Sequence, residues 1–192
     1  MYDTSRQWGR SVGQIAIDHV LRYELACRYA TGRILDAACG CGYGSSLLAQ
    51  KGVVTGVDYS PHAIDWAEEH YPGPTYLLAR IEDEPWEGRY ETCVSLETIE
   101  HIPNPERALE AFRRACIGKL IASVPNEERY PFKAENFARD DSPHFRHYTP
   151  HEFEALLTGS GFKVLERYCQ VSKTQPTVVP GTDGRYMVFV CE

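Results

Sequence analysis

Short apolar runs alternate with amphipathic segments along almost the whole of this 192-residue chain. Residues 12–29 space their apolar side chains as a helix does, and Thr31 and Gly32 close the segment. Later helical patterns are SSLLAQK, SPHAIDWAEEHY, NPERALEAFRRAC and TPHEFEALLTGSGF. The predicted strands between and after them are RILDAA, VVTGVD, TYLLARI, ETCVSL, KLIASVP, KVLERYCQV and GRYMVFVCE.

Strands that are separated by helices favour a parallel sheet with helices on both faces. The stretch after Phe162 contains few helical signals, so the last strand should return antiparallel. The chain is therefore expected to be α/β, a three-layer Rossmann-like sandwich with a seven-stranded, mostly parallel sheet. With no linker or repeat, residues 1–192 should form one domain that begins with a helical segment at 1–30. Ligands of such sheets bind beyond the carboxyl ends of the strands.

Composition narrows the setting of the protein. The seven cysteines form no CxxC pair and lie mostly in apolar segments, which favours reduced, buried thiols over disulfides or a zinc site. The N-terminus lacks a signal-peptide core and no apolar run could span a membrane, so a cytoplasmic location without membrane contact is expected. A net charge of -7 argues against a broad nucleic-acid-binding surface.

The segment after the first predicted strand, LDAACGCGYGSS, places an acidic residue before a run of spaced glycines. Asp36 is followed by Gly40, Gly42 and Gly44, and this spacing differs from the G-x-G-x-x-G of dinucleotide-binding proteins. Asp58 follows the second strand at the distance where such folds place a ribose-binding carboxylate. The combination resembles the class I S-adenosylmethionine-dependent methyltransferases, and the order of strands and helices matches that family over almost the whole chain.

The resemblance implies that the cofactor is S-adenosylmethionine. In this interpretation Asp36 helps to hold the amino group of the cofactor, and Asp58 binds its ribose. Arg22 and Tyr23 are candidates to reach the cofactor carboxylate, with a solvated arginine and a core-edge tyrosine as the alternative. The other implied cofactor contacts are the backbone of Gly40, Gly42 and Gly44, and the side chains of Tyr59, Ile81, Glu82 or Asp83, and Leu96.

The stretch SLETIEH follows the fourth predicted strand, where this family holds the substrate. Glu97, Glu100 and His101 would share one side of a helical turn because they stand at i, i+3 and i+4. A similar E-x-x-E-H segment occurs in the O-methyltransferases of ubiquinone synthesis and in the 2′-O-methyltransferases of small-RNA 3′ ends. In the latter, these residues bind a divalent metal with a further histidine, and HFRHYTPHEF partly matches that segment.

By this resemblance, the metal ligands would be Glu97, Glu100, His101 and His144. Carboxylate and imidazole ligands together favour manganese, iron, cobalt or zinc over magnesium. Without a metal, His101, His144 or His147 could act as the general base. In a purely structural alternative, the two glutamates cap a helix and His101 packs beneath the following IPNP.

Residues 125–148 are long, polar and without clear periodicity, which is typical of a functional loop. We expect this segment to form a lid over the acceptor, with Pro125 and Asn126 at its border. Tyr130, Phe132 and Phe137 would line an acceptor pocket or pin the lid.

The leading functional hypothesis is methyl transfer to an oxygen of a hydroxylated small molecule. One alternative is 2′-O-methylation of an RNA 3′ end, and another is a non-catalytic S-adenosylmethionine-binding regulatory protein.

Overall fold

A computed structural model describes residues 6–83, 89–136, 143–172, 174 and 176–192 of the chain. The predicted pocket residue Phe137 and part of the predicted lid lie outside these ranges. The helices are α1 (Ile17–Tyr29), α2 (Tyr43–Leu48), α3 (Pro61–His70), α4 (Pro105–Ala115) and α5 (Pro150–Gly159). The strands are β1 (Gly32–Ala37), β2 (Gly52–Asp58), β3 (Thr75–Leu78), β4 (Tyr90–Leu96), β5 (Cys116–Pro125), β6 (Val164–Gln170), β7 (Val178–Pro180) and β8 (Tyr186–Cys191).

These strands form one sheet in the order β3-β2-β1-β4-β5-β8-β6-β7. The pairings from β3 to β5 are parallel, whereas β8 runs antiparallel to both β5 and β6, as predicted for the last strand. The expected strand number is wrong by one, because β7 adds an eighth strand at the edge beside β6. β7 has only three residues and includes Pro180, so its sequence contains no alternating pattern from which a strand could be predicted.

Apolar side chains of successive strand residues pack against different helices. Leu35, Cys93 and Leu120 belong to the core cluster that contains residues of α4 and α5. Ile34, Val94 and Ile121 belong to a second cluster, with residues of α1 and α2. Because neighbouring residues of a strand face opposite sides of a sheet, helices cover both faces and the fold is the predicted three-layer sandwich.

Side-chain caps define two of the helix starts. Ser60 accepts a hydrogen bond from the backbone N–H of Ala63 at 3.4 Å, with Pro61 in the first helical position of α3. Thr149 and Glu152 form a reciprocal capping box that fixes the start of α5. At the N-terminal side, the helical pattern of residues 12–29 is interrupted: a 3₁₀ turn at Val12–Gln14 precedes α1.

The cysteines are free thiols, and all but Cys27 are buried, as expected for residues in apolar segments. Within the described ranges, no helix combines the length and apolar character required to cross a membrane.

Candidate active site at the carboxyl edge of the sheet

The glycine loop between β1 and α2 depends on the absence of side chains. Gly40 and Gly42 have φ angles of +54° and +86°, a region that strongly favours glycine. A Cβ atom on Gly44 would lie 2.0 Å from the ring of Tyr23, and one on Gly42 would lie 2.6 Å from the Cβ of Ala67. The loop can therefore pack closely between α1 and α3 only with these glycines.

Asp36 near the end of β1 is fully buried and supports this loop. Its Oδ1 accepts a hydrogen bond from the Tyr23 hydroxyl at 3.0 Å, and its Oδ2 accepts one from the Ser45 hydroxyl at 2.6 Å. Burial raises the pKa of Asp36 to about 7, although the two hydroxyl donors oppose this shift. The Tyr23 hydroxyl, predicted as a contact to the cofactor carboxylate, is engaged with Asp36 here.

Asp58, the last residue of β2, accepts hydrogen bonds at both carboxylate oxygens. Oδ1 accepts from the backbone N–H of Ser60 at 2.9 Å, and Oδ2 accepts from that of Gly40 at 3.0 Å. Oδ2 also forms an ion pair with Arg6 at 2.9 Å, and the Arg6 side chain is only 13% exposed. The predicted ribose ligand is thus already paired with a cation from a distant part of the chain.

The segment that carries Arg6 is attached to α3 and the turn after it. The carbonyl oxygen of Gly9 accepts hydrogen bonds from the Tyr71 hydroxyl at 2.8 Å and from the Trp66 indole at 3.3 Å. Trp8 packs edge-on against Trp66, with ring centroids 5.5 Å apart. Sequence reasoning missed this contact because Arg6 lies in no recognisable motif.

The residues predicted to surround the adenine follow β3. The backbone N–H of Ala79 donates to the Asp58 carbonyl at 3.0 Å, which brings this segment beside the end of β2. Ile81 is buried in the core, whereas Asp83 is exposed and lies 3.8 Å from Arg107. Glu82 is partly buried. Tyr59 is 40% exposed and contacts the guanidinium groups of Arg6 and Arg80, and Leu96 is buried at the end of β4.

Arg22 on α1 is a buried cation, with only 2% of its surface exposed. It donates a hydrogen bond to the side chain of Gln170, lies 3.9 Å from the Asp18 carboxylate and stacks 4.6 Å over the ring of Tyr186. The alternative of a solvated arginine is therefore wrong. Arg22 therefore connects α1 with Tyr186, the first residue of β8.

Glu97 follows β4 in an uncommon backbone conformation, with a φ of +52°. Its N–H donates to the Ser123 hydroxyl at 2.9 Å, and the same hydroxyl donates to the Glu97 carboxylate at 2.7 Å. The helical turn starts only at Ile99, as a 3₁₀ turn through His101. Glu97 therefore does not share that turn with Glu100 and His101, in contrast to the predicted i, i+3, i+4 arrangement.

Glu100, His101 and His144 do come together. One ligand atom from each lies within 4.8 Å of the others, a spacing that could hold a metal ion, and Glu97 is not part of this group. Glu100 is fully buried, and neither carboxylate oxygen has a hydrogen-bond partner among the described residues. Burial, and secondly the charge of Glu97, raise the pKa of Glu100 well above its ordinary value. A buried carboxylate in this state requires a cation or a proton.

Backbone carbonyls determine the tautomers of the three histidines. Nδ1 of His101 lies 3.2 Å from the Pro143 carbonyl, and Nδ1 of His147 lies 2.6 Å from the Tyr130 carbonyl. A carbonyl only accepts, so both Nδ1 atoms carry a proton and the Nε2 atoms carry the lone pairs.

His147 Nε2 must then accept from Nδ1 of His144 at 2.8 Å, so His144 also bears its lone pair on Nε2. Burial and the neighbouring histidines lower the pKa of His144 to about 3, which keeps it neutral. A neutral imidazole with its second nitrogen hydrogen-bonded is the form in which histidine ligates metals.

The predicted lid meets the site at both of its described ends. Tyr130 and Phe132 pack against His147, with ring centroids at 4.9 and 5.5 Å. The Phe145 N–H donates to the Glu100 carbonyl at 2.8 Å, and the Glu127 N–H donates to the Tyr148 carbonyl at 2.8 Å. These contacts bring His144 and His147 next to the turn after β4.

Tyr186, the first residue of β8, and Arg185 just before it were not anticipated. Tyr186 pairs with Pro125 in the sheet, and its ring centroid lies 4.6 Å from the guanidinium carbon of Arg22 and 5.6 Å from that of Arg185. Because β8 runs antiparallel, its first residues lie at the carboxyl edge of the parallel strands. The antiparallel direction of the last strand was predicted from the sequence, and it could have indicated that these two residues lie near the active site.

Comparisons with known proteins agree with this arrangement. The methyltransferase-domain family matches residues 10–167. A probable S-adenosylmethionine-dependent methyltransferase of Mycobacterium tuberculosis is 27% identical over 145 residues, covering 74% of this chain and 53% of the relative. A ubiquinone biosynthesis O-methyltransferase of Xanthomonas euvesicatoria is 30% identical over 157 residues, covering 70% and 64%. The chain thus spans between half and two thirds of these curated relatives.

A solved S-adenosylmethionine-dependent methyltransferase from Thermotoga maritima has the same fold, with a TM-score of 0.75 and 19% identity. The alignment covers 90% of this chain and 88% of that structure. Sequence family, sheet order and the glycine loop after β1 agree, and the chain belongs to the class I S-adenosylmethionine-dependent methyltransferases.

Proposed function

We propose that this protein transfers the methyl group of S-adenosylmethionine to an oxygen of a hydroxylated small-molecule acceptor. The observation that carries the proposal is the cluster of buried Glu100 with half-buried His101 and His144, beside the turn that follows β4. Similarity to proteins named ubiquinone biosynthesis O-methyltransferase supports oxygen as the methylated atom. The net charge of -7 favours a small acceptor over a polyanion.

On the cofactor side, the ribose hydroxyls would donate to Asp58 in place of Arg6. The glycine loop would receive the methionine part of the cofactor, with Asp36 beneath it. Buried Arg22 supplies a positive charge between this part of the site and Tyr186. The cofactor would thereby lie along the edge from β2 to β4, with its methyl group toward the acceptor.

The residues present fit a divalent metal. Glu100 offers a buried carboxylate without a donor among the described residues, and the tautomers of His101 and His144 give each a lone pair on Nε2. This mixture of nitrogen and oxygen ligands suits manganese, iron, cobalt or zinc better than magnesium. When bound, such an ion would lower the pKa of an acceptor hydroxyl and restrict its orientation.

The surrounding residues would hold this geometry. His147 fixes the ring of His144 and is itself fixed by the Tyr130 carbonyl, while Ser123 restrains Glu97. The described parts of the predicted lid, residues 125–136 and 143–148, would cover the acceptor and exclude water. If no metal is involved, the Nε2 atom of His101 or His144 would accept the proton of the acceptor hydroxyl as a general base.

The same three residues favour one second candidate. A vicinal diol at the 3′ end of an RNA could also be held by this group, and methylation would then fall on the 2′-hydroxyl. The acidic net charge makes this candidate the weaker one.

The test combines turnover with a binding measurement. Conversion of S-adenosylmethionine to S-adenosylhomocysteine in the presence of catechol acceptors should stop in chelator and return with manganese. Manganese should also raise the melting temperature of the wild type. Glu100→Gln should abolish both effects, whereas Glu110→Gln, on the exposed face of α4, should keep them.

Full activity in chelator, together with an unchanged melting temperature in manganese, would contradict the proposed metal site. Loss of activity on His101→Gln or His144→Gln in that case would identify a general base. Transfer to an RNA with a free 3′ terminus, but not to catechols, would favour the second candidate.

A further inference from the structure

We propose that Arg185 forms a carboxylate-binding subsite in the acceptor pocket, so that the methylated hydroxyl belongs to a small molecule that also carries a carboxylate group. This inference rests on the proposed small-molecule O-methylation and specifies its substrate class.

Arg185 occupies a fixed position at the acceptor edge. Its carbonyl oxygen accepts from the backbone N–H of Asn126 at 2.9 Å, and its own N–H donates to the Val171 carbonyl at 3.3 Å. The side chain of buried Asn126 donates to the carbonyls of Thr182 and Gly184, both at 2.9 Å. The turn that precedes β8 is therefore tied to the end of β5, so the backbone of Arg185 is ordered before any acceptor binds.

The guanidinium group of Arg185 has one face covered and one edge available. Its central carbon lies 3.6 Å from the centroid of the Tyr130 ring, which is close stacking, and its Nε donates to the Tyr186 hydroxyl at 3.3 Å. Stacking through the face leaves the in-plane Nη donors for a planar anion. A carboxylate matches that edge with two parallel hydrogen bonds.

Arg185 differs from several other arginines of the chain. Arg33, Arg129 and Arg167 each form an ion pair with a carboxylate. Among the described residues, no carboxylate lies within ion-pair distance of Arg185, whose contacts are aromatic and main-chain. A half-buried cation without an anionic partner at the mouth of an active site provides the charge that an anionic ligand would neutralise.

A row of aromatic rings connects this cation to the Glu100–His101–His144 group. Tyr130 stacks on Arg185 and lies 4.9 Å from His147, which lies 5.0 Å from His144, and His144 lies 4.5 Å from His101. In the proposed arrangement, an acceptor lies along this row, with its hydroxyl toward the histidines and its anionic group toward Arg185. Flat aromatic acceptors suit a pocket with such a wall.

Local charge selects a carboxylate over a phosphate. Burial, and secondly the charge of Glu97, raise the pKa of Tyr186, and Glu127 lies 4.0 Å from His147, so two acidic groups already face this region. A singly charged carboxylate is repelled less by them than a doubly charged phosphate monoester is. The planar carboxylate also fits the guanidinium edge without the bulk of a tetrahedral group.

The experiment compares two acceptors that differ only in the anionic group: 3,4-dihydroxybenzoate and its methyl ester. The wild type should have a kcat/KM at least about tenfold higher for the acid. Arg185→Ala should reduce the two values to near equality by lowering only that of the acid, and Arg185→Lys should fall between. Arg113→Ala is the matched control, because Arg113 also stacks on an aromatic ring, Phe162, and lines a cleft at the other end of β5.

Affinity for S-adenosylhomocysteine and the melting temperature should be the same in the wild type and Arg185→Ala, which separates a lost subsite from a damaged fold. Calorimetric titration of the S-adenosylhomocysteine complex with both acceptors gives a second readout that does not need turnover. Equal kcat/KM values or equal affinities for acid and ester in the wild type would overturn the subsite while small-molecule O-methylation stands. Methylation of an RNA terminus with no transfer to either catechol would overturn both.

Discussion

The two halves of the active-site edge differ in how their buried polar groups are satisfied. In the cofactor half, Asp36 and Asp58 accept hydrogen bonds at all four of their carboxylate oxygens. In the acceptor half, Glu100 is equally buried, but neither of its oxygens has a partner among the described residues. Asp36 and Asp58 thus have hydrogen-bond partners without any ligand, whereas Glu100, within the part of the chain that the structure describes, lacks one until a ligand binds.

This contrast fits the ligands that we propose for each half. The cofactor is the same in every turnover, so its site can be built from rigid main-chain contacts and saturated carboxylates. The acceptor half holds a charge whose burial is unfavourable unless a cation or proton accompanies it. Polar groups that a fold leaves unsatisfied are therefore better indicators of the reaction than those that it satisfies.

Gly44→Ala should have the largest effect, because it disrupts the close packing of the glycine loop in the cofactor half. The new Cβ would overlap the Tyr23 ring, with a separation of 2.0 Å, so α1 must shift and the Asp36 hydrogen bond must weaken. We expect a loss of about 3 kcal/mol in the free energy of unfolding, measured in urea. Gly159→Ala is the control, since a Cβ atom there would meet nothing within 4 Å and the change should be neutral or slightly stabilising. Equal stability of the two variants would contradict the close packing of the loop.

Asp36→Asn tests the raised pKa of Asp36, whose two carboxylate oxygens both accept hydrogen bonds. The pKa of Asp36 is raised in the folded protein from 3.8 to about 7, so its protonated form stabilises the fold at low pH, and this contribution is lost as the pH rises through about 7. Between pH 4 and 7, the unfolding free energy of the wild type should fall relative to that of the variant by up to about 1.4 kcal/mol per pH unit. Parallel curves in urea titrations across this range would show that Asp36 is not perturbed.

Asp58→Ala should weaken binding of S-adenosylhomocysteine. Removal of a carboxylate that accepts from two ribose hydroxyls should cost about 1.5 to 3 kcal/mol, or roughly a 10- to 150-fold rise in Kd by calorimetry. Asp65→Ala, at an exposed position of α3, should bind as the wild type does. Unchanged affinity in Asp58→Ala would reject the ribose assignment.

Arg6→Ala should have the smallest effect, and its sign is informative. If the cofactor must displace Arg6 from Asp58, removal of the guanidinium should tighten binding by a few-fold, because the ion pair would no longer have to be broken. Arg10→Ala, an exposed position in the same segment, is the control. Weaker binding in Arg6→Ala would mean instead that Arg6 contacts the bound cofactor.

The fold was largely predictable from the sequence because its signals are local. Strand-length apolar runs, the Ser60–Pro61 helix start and the Thr149–Glu152 capping box each act within a few residues. Short β7 gave no such signal, and the strand count was therefore one too low. The glycine loop was recognisable because close packing restricts those positions to glycine whatever the ligand.

The residues of the candidate site were predictable only where they lie close together in the sequence or match a known motif. Glu100 and His101 are neighbours in sequence, and His144 was found through a partial family match. Glu97 departed from the expected turn because its positive φ and its bonds to Ser123 depend on the neighbouring strand. Arg6 reaches Asp58 across 52 positions, a contact set by tertiary packing that no local pattern encodes.

The reversed direction of β8 has a consequence for the order in which the enzyme can assemble during synthesis. β8 is the last strand of the sheet in the chain, yet it inserts between β5 and β6, and its first residues lie at the edge where we place the acceptor. The strands and loop of the proposed cofactor half, β1 to β4, leave the ribosome much earlier and can pair with one another before β8 is synthesised. Cofactor binding can thus mature before acceptor recognition, which waits for long-range pairing of the final strand.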